Sequence, residues 1–195
     1  MKNFRYVVFS VLLSLCLGNT PSLAAGIPEG SGLVYGPGFS FNIKAPKGWT
    51  LDPSSGANQG LSVVLYPTGG SWSDSPIVAY AQSRPKTPQI QNADDAAKAT
   101  VEKFHANGSP NYQGKRLKAI TTNAGQEAVI YQFSGDKFGN SEAAAYFVEP
   151  DRINFLVMNS RDANLFNQSL PAFEDLAKSY KALPLKVQVQ GPASK

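Results

Sequence analysis

RINFLVMN, residues 152–159, carries apolar side chains on both of its alternating sets: Ile153, Phe155 and Val157 on one, Leu156 and Met158 on the other. A strand with one wet face alternates apolar with polar, whereas a strand that is apolar on both sides is covered on both. QEAVIYQFS (126–134) reads nearly the same way. Helices are therefore expected on opposite sides of the sheet that contains these strands.

Working outward, RLKAITT (116–122) and SEAAAYFVE (141–149) complete a run of four strand candidates. The turns between them, NAG, GDKFGN and EPDR, are short enough for antiparallel hairpins. Upstream, Phe39, Phe41 and Ile43 alternate with Ser40, Asn42 and Lys44 until Pro46 ends the strand, because proline cannot donate to a ladder. LSVVLYP (61–67) and PIVAYAQ (76–82) are further strands, and RPKTP reads as a stiff linker. Asn92 with Asp95 three residues on resembles a capping box, and Ala93, Ala97, Val101 and Phe104 make one helical stripe that Gly108 stops. A second helix is expected over 170–182, with Ser169 as N-cap and Pro171 in the first turn, where proline is tolerated. The order is three strands, a helix, four strands, a helix. It predicts an α+β, three-layer α/β/α sandwich on a seven-stranded antiparallel sheet. Pro46-Lys47-Gly48 becomes a corner, and Trp49 an apolar plug near the sheet edge.

Residues 1–25 place Lys2 and Arg5 before an apolar run from Tyr6 to Leu17 and then small residues around Ser22, Ala24 and Ala25, the order of a cleaved secretory signal. The apolar run is shorter than the ~20 residues of a membrane span, so no stable insertion is expected after cleavage. Leu15 before Cys16 is not the small residue a lipidated cysteine asks for. Cleavage removes the single cysteine, which fits a bacterial envelope better than a disulfide-rich secretion route. Without Lys2 and Arg5 the chain has 16 cations against 14 acids, a net charge of +2 that makes no case for nucleic acid. Residues 26–38, GIPEGSGLVYGPG, read as an N-terminal arm or a short edge strand, 39–183 as one domain, and 184–195 as a frayed tail.

FSFNIKAPKGW (39–49), the central amphipathic helix, the run of hairpins and the closing SLPAFEDLAKSYKAL (169–183) together resemble the PsbP/Mog1-like group, which includes DcrB-type bacterial envelope proteins. The resemblance covers 39–183. It implies the same three-layer fold with a seven-stranded antiparallel sheet, used chiefly for binding: PsbP-like proteins dock on photosystem II, Mog1-like ones on a small GTPase, and DcrB-like ones serve the envelope. It brings no catalytic motif to this chain.

The residues themselves offer little chemistry. His105 is the sole histidine and falls on the border of the helical stripe, a position for a hydrogen-bonded structural histidine. One histidine and no mature cysteine cannot make the usual zinc set. Asp94 with Asp95, and Glu174 with Asp175, complement helix dipoles and diverge by about 100°, which does not preset an acid/base couple. Asp52 and Asp74 lie outside any EF-hand-like loop, and the glycine motifs lack a P-loop ending. No cofactor is expected. Trp72, in the polar loop PTGGSWSDSP (67–76), is a candidate partner anchor, and Arg84, Lys86, Lys115 and Arg116 could flank an acidic partner. The expectation is an exported, periplasmic or secreted, non-enzymatic module working through protein–protein contacts. The alternative is a small-ligand carrier or hydrolase with a pocket between sheet and helix, lined by Trp49, Tyr66, Tyr80 and Tyr131.

Overall fold

The computed structural model describes residues 30–184. The leader at 1–25 and all but the first residue of the tail at 184–195 lie outside the described residues. The chain forms β1 (Ser31–Gly36), β2 (Phe39–Lys44), β3 (Trp49–Asp52), β4 (Val64–Pro67) and β5 (Ile77–Pro85), then helix α1 (Ala93–Ala106). β6 (Gln113–Thr121), β7 (Glu127–Ser134), β8 (Ser141–Val148) and β9 (Arg152–Ser160) follow, then α2 (Ala163–Lys178) and the two-residue β10 (Lys181–Ala182). A seven-stranded sheet has the order β3-β4-β5-β9-β8-β7-β6 and a small sheet the order β1-β2-β10, with antiparallel pairing throughout.

The strand count of the large sheet is as the sequence predicts, but its membership differs. Phe39–Lys44 belongs to the small sheet, and Trp49–Asp52 takes its place at the edge of the large one. The corner explains the exchange. Gly48, at φ +81°, adopts a left-handed conformation costly for other residues, and the Trp49 amide donates to the Pro46 carbonyl at 3.0 Å. The chain thus leaves one sheet and enters the other, with Trp49 packed against the core beneath. Of the two readings of 26–38, the edge strand is the one found over 31–36, paired from Ser31↔Lys44 to Gly36↔Phe39. Its single inward apolar residue, Val34, is too little for a period-two signal.

Alternation along β8 separates two cores. Ala143, Ala145 and Phe147 face α2 and the small sheet, whereas Ala144 and Tyr146 face α1. The two helices therefore cover opposite faces, as the doubly apolar strands required.

Helix α1 begins as predicted: Asn92 Oδ1 accepts from the Asp95 amide at 2.9 Å, while Asp95 Oδ2 reaches past the cap to the Gln91 amide at 2.9 Å. Helix α2 does not. It starts seven residues before the predicted Leu170, capped by Asp162, whose Oδ1 accepts from Asn164 and Leu165 at 2.9 and 3.0 Å. Pro171 is thus a mid-helix proline rather than a first-turn one. It is exposed, and so is Asn167, whose carbonyl loses its partner and can turn to water instead. Strand β5 also outruns expectation, extending through Arg84 and Pro85 into the stretch read as linker, because β9 offers partners as far as Arg152.

Candidate functional site

Helix α1 lies close to the sheet because it presents alanines there: Ala93, Ala96 and Ala97 are buried against β7, β8 and β9 residues such as Val129, Tyr146 and Ile153. Toward β6 its flank is sealed by aromatics. Phe104 stacks on Tyr112 at 3.9 Å, and Tyr112 on Phe133 at 5.6 Å. Toward β5 the flank is open. There Ala99, Thr100, Lys103 and Phe104 face Tyr80, Gln82 and Arg84 of β5, Phe155 and Val157 of β9, and Glu142, Ala144 and Tyr146 of β8. Between them lies a cleft of about 450 Å³. The small side chains Ala99 and Ala144, set among large rings, are what leave the space unfilled.

Glu142 enters this cleft by parity. It shares the face of Ala144 and Tyr146, and the Tyr112 hydroxyl donates to its Oε1 at 3.0 Å. Desolvation pushes its carboxyl up to about 7, opposed by the Tyr112 hydrogen bond and aided by the nearby charge of Asp136. Burial and then the charge of Glu142 raise the phenols of Tyr80 and Tyr112, and burial raises that of Tyr146. All three remain neutral hydroxyls, able to donate and accept. Among the described residues no group of three or more His, Cys, Asp or Glu side chains could hold a metal ion. His105 is exposed, and its Nε2 makes a hydrogen bond of 2.7 Å with the Tyr112 carbonyl oxygen. Four rings, Tyr80, Phe104, Tyr146 and Phe155, share this cleft with polar side chains that include one carboxylate, Glu142, and two cations, Arg84 and Lys103, around a space of a size that takes one side chain or a small molecule.

The residues singled out from sequence fall in several places. Tyr80 and Arg84 line the cleft. Trp72 folds back from its loop to meet Tyr80 edge-on, with centroids 6.3 Å apart and rings at 85°, which sets it half-buried beside the same cleft. Lys86 sits just past β5, its amide bonded to Asp151 O at 2.9 Å and its Nζ to Pro150 O at 3.4 Å. Lys115 and Arg116 lie on the exposed edge strand β6, with Arg116 Nε 3.8 Å from Asp94 Oδ1. Tyr131 stands behind the cleft, edge-on to Tyr146 at 6.0 Å, its hydroxyl donating to Asp94 and its phenol pushed up to about 12, mainly by burial. Tyr66 donates to Asp52 Oδ2 at 2.8 Å near the β3 edge, and Trp49 packs into the opposite core. Asp52, bonded by Ser54 and Ser55 as well, is held well below the usual carboxylate range. Glu142, Tyr112, Tyr146 and Phe155 escaped the sequence reading. The available signal was a carboxylate at the parity of Ala144 and Tyr146 inside SEAAAYFVE.

No family model matches the chain, and no curated protein matches it by sequence. Solved structures do. The solution structure of cyanobacterial PsbP (CyanoP) from Synechocystis sp. PCC 6803 superposes with a TM-score of 0.51 at 15% identity, covering 86% of this chain and 99% of that one. The fold is PsbP-like. LpqN, described as involved in cell envelope biogenesis of Mycobacterium tuberculosis, is similar in the same way, with a TM-score of 0.53 at 18% identity over 79% of this chain and 91% of its own. At these identities the PsbP-like likeness speaks for architecture.

Proposed function

We propose that this chain is an exported, non-enzymatic binding module of the cell envelope, and that it engages a protein partner through the α1 cleft and the Trp72 loop beside it. One observation carries the reading: Arg84 and Trp72, expected to touch a partner, and Tyr80, expected to line a pocket, lie together at one cleft, Tyr80 and Arg84 along β5 and Trp72 edge-on to Tyr80 from the loop before it. Aromatic and arginine side chains beside an open concavity are what interface anchors use. The leader pattern at 1–25 supports export, and the LpqN description, envelope biogenesis, supports the compartment. Among the described residues no helix is long and apolar enough to cross a membrane.

A small-ligand carrier or hydrolase would use the same cleft, and its size favours that as the second reading. The two part under one experiment, crosslinked affinity capture from the native envelope with the wild-type protein, Trp72→Ala and Ala99→Leu. Leucine keeps helix propensity while narrowing the cleft. Loss of a specific protein from both variants at unchanged melting temperature supports the partner reading. Equal recovery from Ala99→Leu removes the cleft from it, and a small molecule retained by the wild type but not by Ala99→Leu favours the carrier.

A further inference from the structure

We propose that the α1 cleft takes an organic ammonium group on an apolar or aromatic stem, a primary amine or a lysine-like side chain, with Glu142 as its counter-ion. The inference rests on the reading of the cleft as the binding site and names what enters it. Glu142 is half-buried, its Oε1 accepts from Tyr112, and no cation among the described residues forms an ion pair with it. A carboxylate held that way is costly unless a charge comes to meet it. The rings around the cleft, Tyr80, Phe104, Tyr146 and Phe155, are the surface an ammonium and its stem prefer.

The cleft's own cations do not answer this need. Glu142 pairs across the sheet with Asn159 and Arg84 with Ile153, six residues apart on β9. At a rise of ~3.3 Å per residue that sets their backbone positions about 20 Å apart along the strand, and no ion pair joins the two side chains. Lys103, on α1, is exposed and makes no ion pair with Glu142. Facing Glu142 are the Tyr112 hydroxyl, the neutral phenols of Tyr80 and Tyr146, and Asp136 from the β7–β8 loop, while His105 is occupied with the Tyr112 carbonyl. None of them neutralises a carboxylate. Its carboxyl, raised to about 7, is protonated in part at neutral pH, so an arriving ammonium expels a proton and binds more tightly as pH rises through that value.

The test titrates the purified, isotope-labelled protein with phenethylammonium, phenethyl alcohol and hydrocinnamate, following amide shifts, for the wild type and Glu142→Gln. Glutamine keeps the Oε1 acceptor for Tyr112, and melting temperature reports folding. At about pH 8 the ammonium should bind about tenfold or more tighter than the alcohol, with shifts at Thr100, Ala144 and Tyr146, and Glu142→Gln should erase that margin. Between about pH 8 and about pH 6 the ammonium affinity should fall about tenfold. Equal binding of ammonium and alcohol, tighter binding of hydrocinnamate, or a Glu142→Gln protein that binds as well as wild type overturns the inference. Failure here with partner capture still lost in Ala99→Leu leaves the partner reading standing. An ammonium site that holds while Ala99→Leu still captures the partner removes the cleft from the partner reading and leaves it to the ammonium ligand.

Discussion

The two faces of the large sheet are built to opposite ends. On the α2 face, Phe41, Ile130, Phe147, Leu156, Phe166 and Phe173 are each at most 2% exposed, and the one phenol among them, Tyr180, has its hydroxyl tied to Glu149 at 2.7 Å and Asn154 at 2.8 Å. On the α1 face, four tyrosines and a carboxylate gather around a helix whose fully buried residues are Ala93, Ala96 and Ala97. The difference in cover explains the difference in content. The α2 face is closed by a helix and a second sheet, so apolar bulk fills it. The α1 face has one helix set close to β7 and β8, which leaves β5 reachable from solvent, and polar groups can persist there because water or a ligand can satisfy them.

The contrast breaks most visibly at Phe173. Phe173→Ala should destabilise the protein by about 3–5 kcal/mol in chemical denaturation, because a filled face cannot collapse around the void, yet leave phenethylammonium affinity unchanged in the folded fraction. A loss below 1 kcal/mol would mean that the face is less tightly packed than its burial implies.

Glu142→Gln should act in the other direction and only at high pH. The folded carboxyl titrates near 7, above its ordinary value of 4.5, so its stabilising contribution is complete below about pH 4.5 and is lost as pH rises through 7. At about pH 8 the glutamine protein should therefore be roughly 2 kcal/mol more stable than wild type, with the gap closing toward about pH 4.5. A gap that does not change with pH would place Glu142 in a wetter setting than the cleft provides.

The smallest effect sharpens the comparison at the helix itself. Removing the α1 cap by Asn92→Ala should cost about 1 kcal/mol and, because α1 forms one wall of the cleft, weaken ammonium binding along with stability. Amide exchange in the first turn of α1 would report the fraying directly.

How much of the site was legible turned on parity and distance. Tyr80 and Arg84 could be named from sequence as aromatic and cationic candidates, but their membership of one cleft depends on β5 continuing to Pro85, and that follows from pairing with β9. Glu142 was readable in principle, since it alternates with Ala144 and Tyr146. Its partner Tyr112 was not, because thirty residues separate the two hydrogen-bonded side chains. Tyr66 and Tyr131 look equivalent to Tyr80 as letters, yet each hydroxyl is claimed by an aspartate, Asp52 and Asp94.

By itself the sequence determined what is local or periodic. The doubly apolar strands dictated helices on both faces, Asn92 and Asp95 dictated where α1 starts, and Pro46 with Gly48 dictated a corner before Trp49, because each rests on dihedrals, caps or side-chain parity within a few residues. Tertiary structure decided what depends on partners far along the chain. It sent Phe39–Lys44 to a second sheet, it extended α2 back to Asp162 across Pro171, and it set one alanine-faced helix near the β6 side of its face, opening the cleft at Glu142. Those outcomes follow from which surfaces meet and how much volume lies between them, and no window of neighbouring residues contains that information.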